Sequence, residues 1–209
     1  MMRAAIGIFL VALLVGLAAC EREQWSDVTV GLLGDGSDYA SLYVLDDSYD
    51  ALRLLAADSI GQGRSLHYRG CFERPQLAIV RLASDSIPYL FTLDEVPTLM
   101  RVGIADDFRS MQILHGSDDN HAVVHRFVEV EQLTAQIDTL RRRYNRAVAD
   151  TSLTAEREAS LLAAMHRADS LRTATLMTYI GSDRPVSYIF WRRFGYLLPA
   201  DSVPLKFRK

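Results

Sequence analysis

His115, His121 and His125 fall close together, and His121 and His125 stand four apart, a spacing that on a helix can bring two imidazoles to one metal ion. The segment His121-Ala122-Val123-Val124-His125 carries alanine where a zinc-protease helix places its general-base glutamate. The pair therefore reads as a polar helical face, and no metal is expected. Asp58-Ser59, Asp85-Ser86, Asp169-Ser170 and Asp201-Ser202 place an acid beside a hydroxyl, but no Gly-x-Ser-x-Gly elbow accompanies them, and each fits turn or cap chemistry. Gly61-x-Gly63 lacks the third glycine, the following helix and the acidic partner of a dinucleotide site, so no cofactor is expected. Arg141-Arg142-Arg143 and Arg192-Arg193 are expected to be solvated or ion-paired. Tyr188, Phe190, Trp191, Phe194 and Tyr196 are expected to be core anchors of one helix, with partner docking as the other reading. Cys71, within Tyr68-Arg69-Gly70-Cys71-Phe72, is expected to be a small buried hydrophobe. No Cys-x-x-Cys occurs, which removes exchange by a local dithiol. No catalytic residue is assigned.

The remaining cysteine, Cys20, has a different setting. Arg3 supplies a short positive region, and Ala4 to Ala19 supply an apolar run ending in small side chains, the pattern of an export signal. The run is short of the ~20 apolar residues a spanning helix needs, because it meets Cys20 and then Glu21, Arg22, Glu23 and Gln24. Leu17-Ala18-Ala19-Cys20 resembles the lipobox of bacterial lipoproteins. That resemblance implies diacylglyceryl transfer to the Cys20 sulfur, cleavage before it and acylation of the freed amine, so Cys20 is the expected lipid-attachment site. With Cys20 acylated, no intramolecular disulfide is expected.

The chain that carries these residues has 209 residues, 49% hydrophobic and 23% charged, values that exclude a disordered, collagen-like or polytopic membrane protein. Lys+Arg total 23 against Asp+Glu 26, and no long basic block occurs, so a nucleic-acid partner is not expected. Short apolar runs separated by turn residues fill the first half: 28–33, 39–45, 52–57, 65–69, 77–82, 89–93, 99–104 and 111–114. About eight strands at this spacing predict an antiparallel β sandwich, with a hairpin across Gly61-Gln62-Gly63. Pro75, Pro88 and Pro97 fall at strand starts, where a missing N–H costs least.

Past Gly116 the hydrophobic period changes to that of a helix. Ser117, Asp118, Asp119 and Asn120 offer cap oxygens, and Val123, Phe127, Val130, Leu133, Ile137, Leu140 and Tyr144 form an apolar stripe that must be covered. A second helix is expected over about 154–179 and a third over about 185–198. The expected class is therefore α+β: a signal peptide over 1–19, a lipidated tether over 20–26, a β-sandwich domain over 27–116, a helical region over 117–198 and an extended tail over 199–209. The helices are expected to pack on one another and on an edge of the sandwich, leaving a concave junction near Gly116 to Asn120 as the ligand or partner surface.

With that order in place, the chain resembles the N-terminal lipoprotein domain of unknown function that precedes a thioredoxin-like domain in thiol-disulfide interchange proteins of Bacteroidetes-type bacteria. The matching positions are Asp58-Ser59, Gly63-x-x-Leu66-x-Tyr68-x-Gly70, Pro75, Phe91-x-Leu93-Asp94, Gly116-Ser117-x-x-Asn120 and Pro185-x-Ser187, spread over residues 27–198. The family often has Phe where Leu66 stands. The chain stops at Lys209, where members would begin the thioredoxin fold, so the family's redox activity is not expected to carry over. The resemblance implies the architecture and an envelope location.

The expected function is that of a membrane-anchored, non-enzymatic binding or accessory module of the cell envelope, lipid-anchored to the outer membrane on its periplasmic or surface face. Glu21 and Glu23 resemble the acidic signals of some surface-exported lipoproteins. Its expected partners are the membrane, through acylated Cys20, and an envelope protein. The alternatives are an accessory partner of a separate thioredoxin-like protein and a metal-dependent or hydrolytic enzyme with an unrecognised site.

Overall fold

The computed structural model describes residues 24–46, 49, 51–105, 108–202 and 204–207. Eight strands form in chain order: β1 (Gln24–Leu32), β2 (Ser37–Leu45), β3 (Leu52–Gly61), β4 (Leu66–Phe72), β5 (Gln76–Leu82), β6 (Asp85–Leu93), β7 (Thr98–Ala105) and β8 (Phe108–His115). They make two four-stranded sheets, ordered β4-β1-β7-β8 and β3-β2-β5-β6. All pairings are antiparallel except β1 with β7, which run parallel. Alternation decides which residues face inward. Val28 and Val30 of β1, Ala40, Leu42 and Val44 of β2, and Tyr89, Phe91 and Leu93 of β6 meet in one core between the sheets. The sandwich and the helices that follow it are as the sequence predicts. β1 starts at Gln24, three positions before the expected boundary at Asp27.

The expected hairpin across Gly61 is absent. The chain does reverse there, with the Gly61 and Arg64 backbones exchanging two hydrogen bonds (3.0 and 2.9 Å). But β3 pairs with β2 and β4 pairs with β1, so this turn carries the chain from one sheet to the other. Local turn chemistry is the same in both cases; the pairing partner is a long-range choice that the turn residues do not record. Gly61 itself is required, because its φ is +102° and a Cβ would drive into the carbonyl oxygen of Gly36 in the turn between β1 and β2.

Three helices follow: α1 (Asp118–Ala149), α2 (Ala155–Ile180) and α3 (Val186–Phe194). Ser117 caps α1, its hydroxyl accepting from the Asn120 amide, and Thr154 caps α2, accepting from the Arg157 amide at 3.2 Å. The apolar stripe of α1 is covered by the outer face of one sheet together with the edge strands β6 and β8. Val123 and Val130 join Leu176 and Ile180 of α2 and Ile189, Phe190 and Phe194 of α3, and these pack on Leu45, Leu77 and Ile79, which point outward from β2 and β5. The molecule therefore has three layers, and β5 is buried on both sides, which is why Leu77-Ala78-Ile79-Val80 is apolar without interruption. Phe190 and Phe194 of α3 are core, as expected, and Tyr188 and Trp191 pack against them partly buried, but Tyr196, expected with them, lies past the helix and is 79% exposed. Phe127 meets Phe190 and Phe194 edge to face at 5.0 and 4.9 Å, and Tyr179 stacks on Phe190 at 4.4 Å.

Beyond Glu131, which pairs with Arg193 of α3, the two long helices pack only on each other among the described residues. Leu133, Ile137 and Ala168 form a small cluster of their own, and Tyr144 donates to Glu158 at 3.0 Å. The segment of α1 from Leu133 to Ala149 thus extends about 25 Å as one half of a two-helix arm. The tail is not extended as expected: short 3₁₀ turns at Ala200–Ser202 and Leu205–Phe207 fold it back. Phe207 is buried, stacking on Trp191 at 4.8 Å and lying 6.4 Å from the Tyr188 ring. No helix among the described residues is long and apolar enough to cross a membrane.

Cys71 also departs from expectation. It lies on β4 at an outward position, one residue before buried Phe72, and is exposed. Its strand-like setting suggests burial, but the period of two sends Phe72 in and Cys71 out. Cys71 should react stoichiometrically with Ellman's reagent in the folded protein, within minutes and without denaturant. Labelling that requires urea would place the thiol in the core.

Candidate functional site

The joint between the helical layer and the sandwich is built around Asn120, in the first turn of α1. Asn120 is wholly buried. Its Oδ1 accepts from the amide of Thr92 (2.7 Å) and from the Thr92 hydroxyl (2.8 Å), while its Nδ2 donates to the Thr92 carbonyl (2.9 Å) and to the Thr98 hydroxyl (3.1 Å). Thr92 belongs to β6 and Thr98 to β7, so one side chain ties α1 to both sheets. The close approach explains Gly116, where a Cβ would lie 3.0 Å from Ile113 Cγ2 and 3.4 Å from the Asn120 Cβ.

Above this joint lies a cleft of about 440 Å³, at the end of the sandwich where β1 begins. Its walls include Gln24, Asp94, Glu95, Asp118, Asp119 and Arg184. Asp94 follows β6; its carbonyl accepts from Ser26 Oγ (2.6 Å) and its carboxylate from the Val96 amide (3.0 Å). Burial pushes the Asp94 carboxyl above the usual carboxylate range, against hydrogen bonds from Ser117 and Val96 that favour the charge, and Glu95 adds to the rise. Asp119 is raised for the same first reason, burial, with Arg184 opposing and the Asp94 and Asp118 charges adding. Arg184, from the loop between α2 and α3, pairs with Asp119 and so latches that loop to the start of α1. Four carboxylates against one guanidinium make the cleft a place for a donor-bearing, positively charged group.

The concave junction expected near Gly116 to Asn120 is therefore present. The other candidates are dispersed. Cys20 lies outside the described residues. His121 and His125 lie one turn apart on α1, with nearly parallel rings 6.1 Å apart between centroids, and His115 ends β8. Among the described residues, no group of three or more His, Cys, Asp or Glu side chains is arranged to hold a metal ion. The Asp-Ser pairs do local work: Asp58 accepts from the Ser59 amide (2.7 Å), Asp85 accepts from the Ile87 amide (2.9 Å) and the Tyr89 hydroxyl (2.8 Å), and Asp169 pairs with Arg172 at 2.5 Å. Arg141 pairs with Asp138 at 3.4 Å and Arg193 with Glu131 at 2.8 Å. Thr92, Thr98, Asp94 as a cleft wall, and Arg184 escape sequence reasoning. Asn120 leaves a signal, because stepping back three from Val123 along the apolar stripe lands on it, and a polar residue on a buried stripe must find partners inside. The chain matches no protein-family model, no curated protein and no solved structure.

Two outcomes follow from this joint. Asn120→Ala leaves the Thr92 amide and Thr98 hydroxyl buried without their partner, and should lower the unfolding free energy by about 2–5 kcal/mol in urea melts; a loss under about 1 kcal/mol would show that the joint is not structural. The second concerns pH. A carboxyl raised by folding contributes stability that is complete below its unfolded value and is lost as pH rises through the folded one. Asp94→Asn should therefore raise the urea midpoint at pH 7, with the gain shrinking as pH falls into the ordinary carboxylate range. A midpoint difference independent of pH would rule out a raised Asp94.

Proposed function

We propose that this chain is a lipid-anchored envelope lipoprotein that works as a binding module, with the junction cleft as its partner surface. One observation carries the reading. Cys20 closes an export-type segment, and only Glu21, Arg22 and Glu23 stand between it and the start of β1 at Gln24. Acyl chains on Cys20 would hold a folded body directly at the bilayer surface. Each buried methylene of such a chain is worth about 0.8 kcal/mol, so two or three chains anchor stably where one does not. The proposed location is the outer membrane, on its periplasmic or surface face. The architecture, a β sandwich followed by helices, agrees with the proposed membership of the Bacteroidetes-type family whose domain precedes a thioredoxin-like one. The cleft's carboxylates favour a partner that presents lysine or arginine side chains.

The accessory reading, in which the module serves a separate thioredoxin-like protein, gains from the exposure of Cys71. An exposed thiol is a group that such a protein engages through a mixed disulfide. Recovery of a thioredoxin-like protein disulfide-linked to the wild type, and not to Cys71→Ser, would select this version of the module's partner.

Anchoring is tested directly at the thiol. Cys20→Ala should abolish incorporation of labelled palmitate and leave an unprocessed precursor or a protein poorly retained in the membrane fraction. Equal labelling of wild type and variant would overturn the lipoprotein reading.

A further inference from the structure

We propose that the corner of the outer sheet formed by Trp25 and Arg69 rests in the phospholipid headgroup layer; this rests on the anchored reading above. Covalent geometry bounds the height. Trp25 follows Cys20 by five residues, and a chain advances at most about 3.5 Å per residue, so the Trp25 Cα is held within about 17 Å of the acylated residue. The headgroup region adds about 5–7 Å on each side of the hydrocarbon core, so the Trp25 indole is within reach of its outer boundary.

The chemistry of the corner suits that place. Trp25 sits at an outward position of β1, paired with Cys71 of the edge strand β4, and is 56% exposed. Arg69, two residues before Cys71 on β4, lays its guanidinium over the indole, 5.4 Å from the ring centroid. An indole has an apolar body and one N–H, the combination that places Trp at membrane–water interfaces. The guanidinium brings planar donors that fit a phosphate. Covering one ring face with Arg69 leaves the rest of the indole to meet lipid.

The surrounding charges set the type of lipid contact. Asp27 stands opposite Arg69 in the strand register, Glu73 follows β4, and Glu21 and Glu23 lie between Cys20 and β1. With Arg22 and Arg74 beside them these charges nearly balance, four carboxylates against three guanidinium groups, so there is no net pull toward anionic lipid. The contact is led by the aromatic ring, and Arg69 takes the phosphate of a zwitterionic lipid as readily as that of an anionic one.

The test uses the full acylated chain reconstituted into phosphatidylcholine–phosphatidylethanolamine vesicles that carry phospholipids brominated near the top of the acyl chains. Emission of the wild type minus that of Trp25→Phe isolates Trp25 from Trp191, and mass spectrometry of the same sample reads acylation at Cys20. The expected result is a Trp25 signal shifted to the blue of a water-exposed indole and quenched by the bromolipid, unchanged by added anionic lipid or by salt. An acylated chain whose Trp25 emits as in water and is not quenched overturns the contact and leaves the anchor standing. Quenching that appears only with anionic lipid overturns the aromatic-led contact. A chain that carries no acyl group overturns the anchored reading and the contact with it.

Discussion

The structure depends on one buried amide. Asn120 has two acceptor and two donor capacities, and all four are used by Thr92 and Thr98, residues of different sheets. A buried amide left half satisfied would cost more than an apolar residue in its place, so the helix can start in only one position and orientation relative to the two sheets. From that fixed start the apolar stripe of α1 falls on the outward-facing side chains of β2 and β5. The later helices then close over the same surface: α2 through Leu176 and Ile180, α3 through Ile189, Phe190 and Phe194. The Asp119–Arg184 pair and the return of Phe207 onto Trp191 tie the ends of that layer down. The arm beyond Glu131 is what remains once the contact surface of the sheet is used up.

Much of this was legible in the sequence because alternation and helical period are local properties. Val28 to Val30, Tyr39 to Leu45 and the stripe from Val123 to Tyr144 announce their own secondary structure and their own buried face. What the sequence left open were choices between distant partners. The turn at Gly61 looks the same whether β4 continues beside β3 or crosses to β1. The apolar stripe of α1 shows that something covers it without naming a face or an edge. Cys71 lies in a strand beside Phe72, and only the phase of β4 turns it outward. Phe207 sits in a stretch with prolines at 199 and 204 and no periodicity, so its burial against Trp191 left no pattern to read.

The junction cleft was legible as a place and not as a chemistry. Gly116 and the polar run after it mark where strand gives way to helix, yet Asp94 and Arg184 reach the same cleft from either side in sequence. Their meeting crowds carboxylates at a helix start, where the aligned peptide dipoles favour negative charge, while burial works against ionisation of Asp94 and Asp119. The cleft and the Trp25 corner lie at the same end of the sandwich, the end from which the chain would run back to Cys20. In the proposed function, that places the partner surface close to the bilayer and directs a partner toward the membrane-facing end of the body.

The central claim is that sandwich and helical layer form one cooperative body, joined at Asn120 and across the outer face of the sheet that contains β5, with the arm as the less stable part. Native-state hydrogen exchange measures this residue by residue. The account predicts that amides of β5, of β6 around Thr92 and of α1 from Ala122 to Val130 share the highest opening free energy. Amides between Leu140 and Ala149 should exchange through smaller, local openings. If the first half of α1 instead exchanged together with the arm, well below the free energy of β5, the helices would be a separate unit resting on the sandwich and the account would be contradicted.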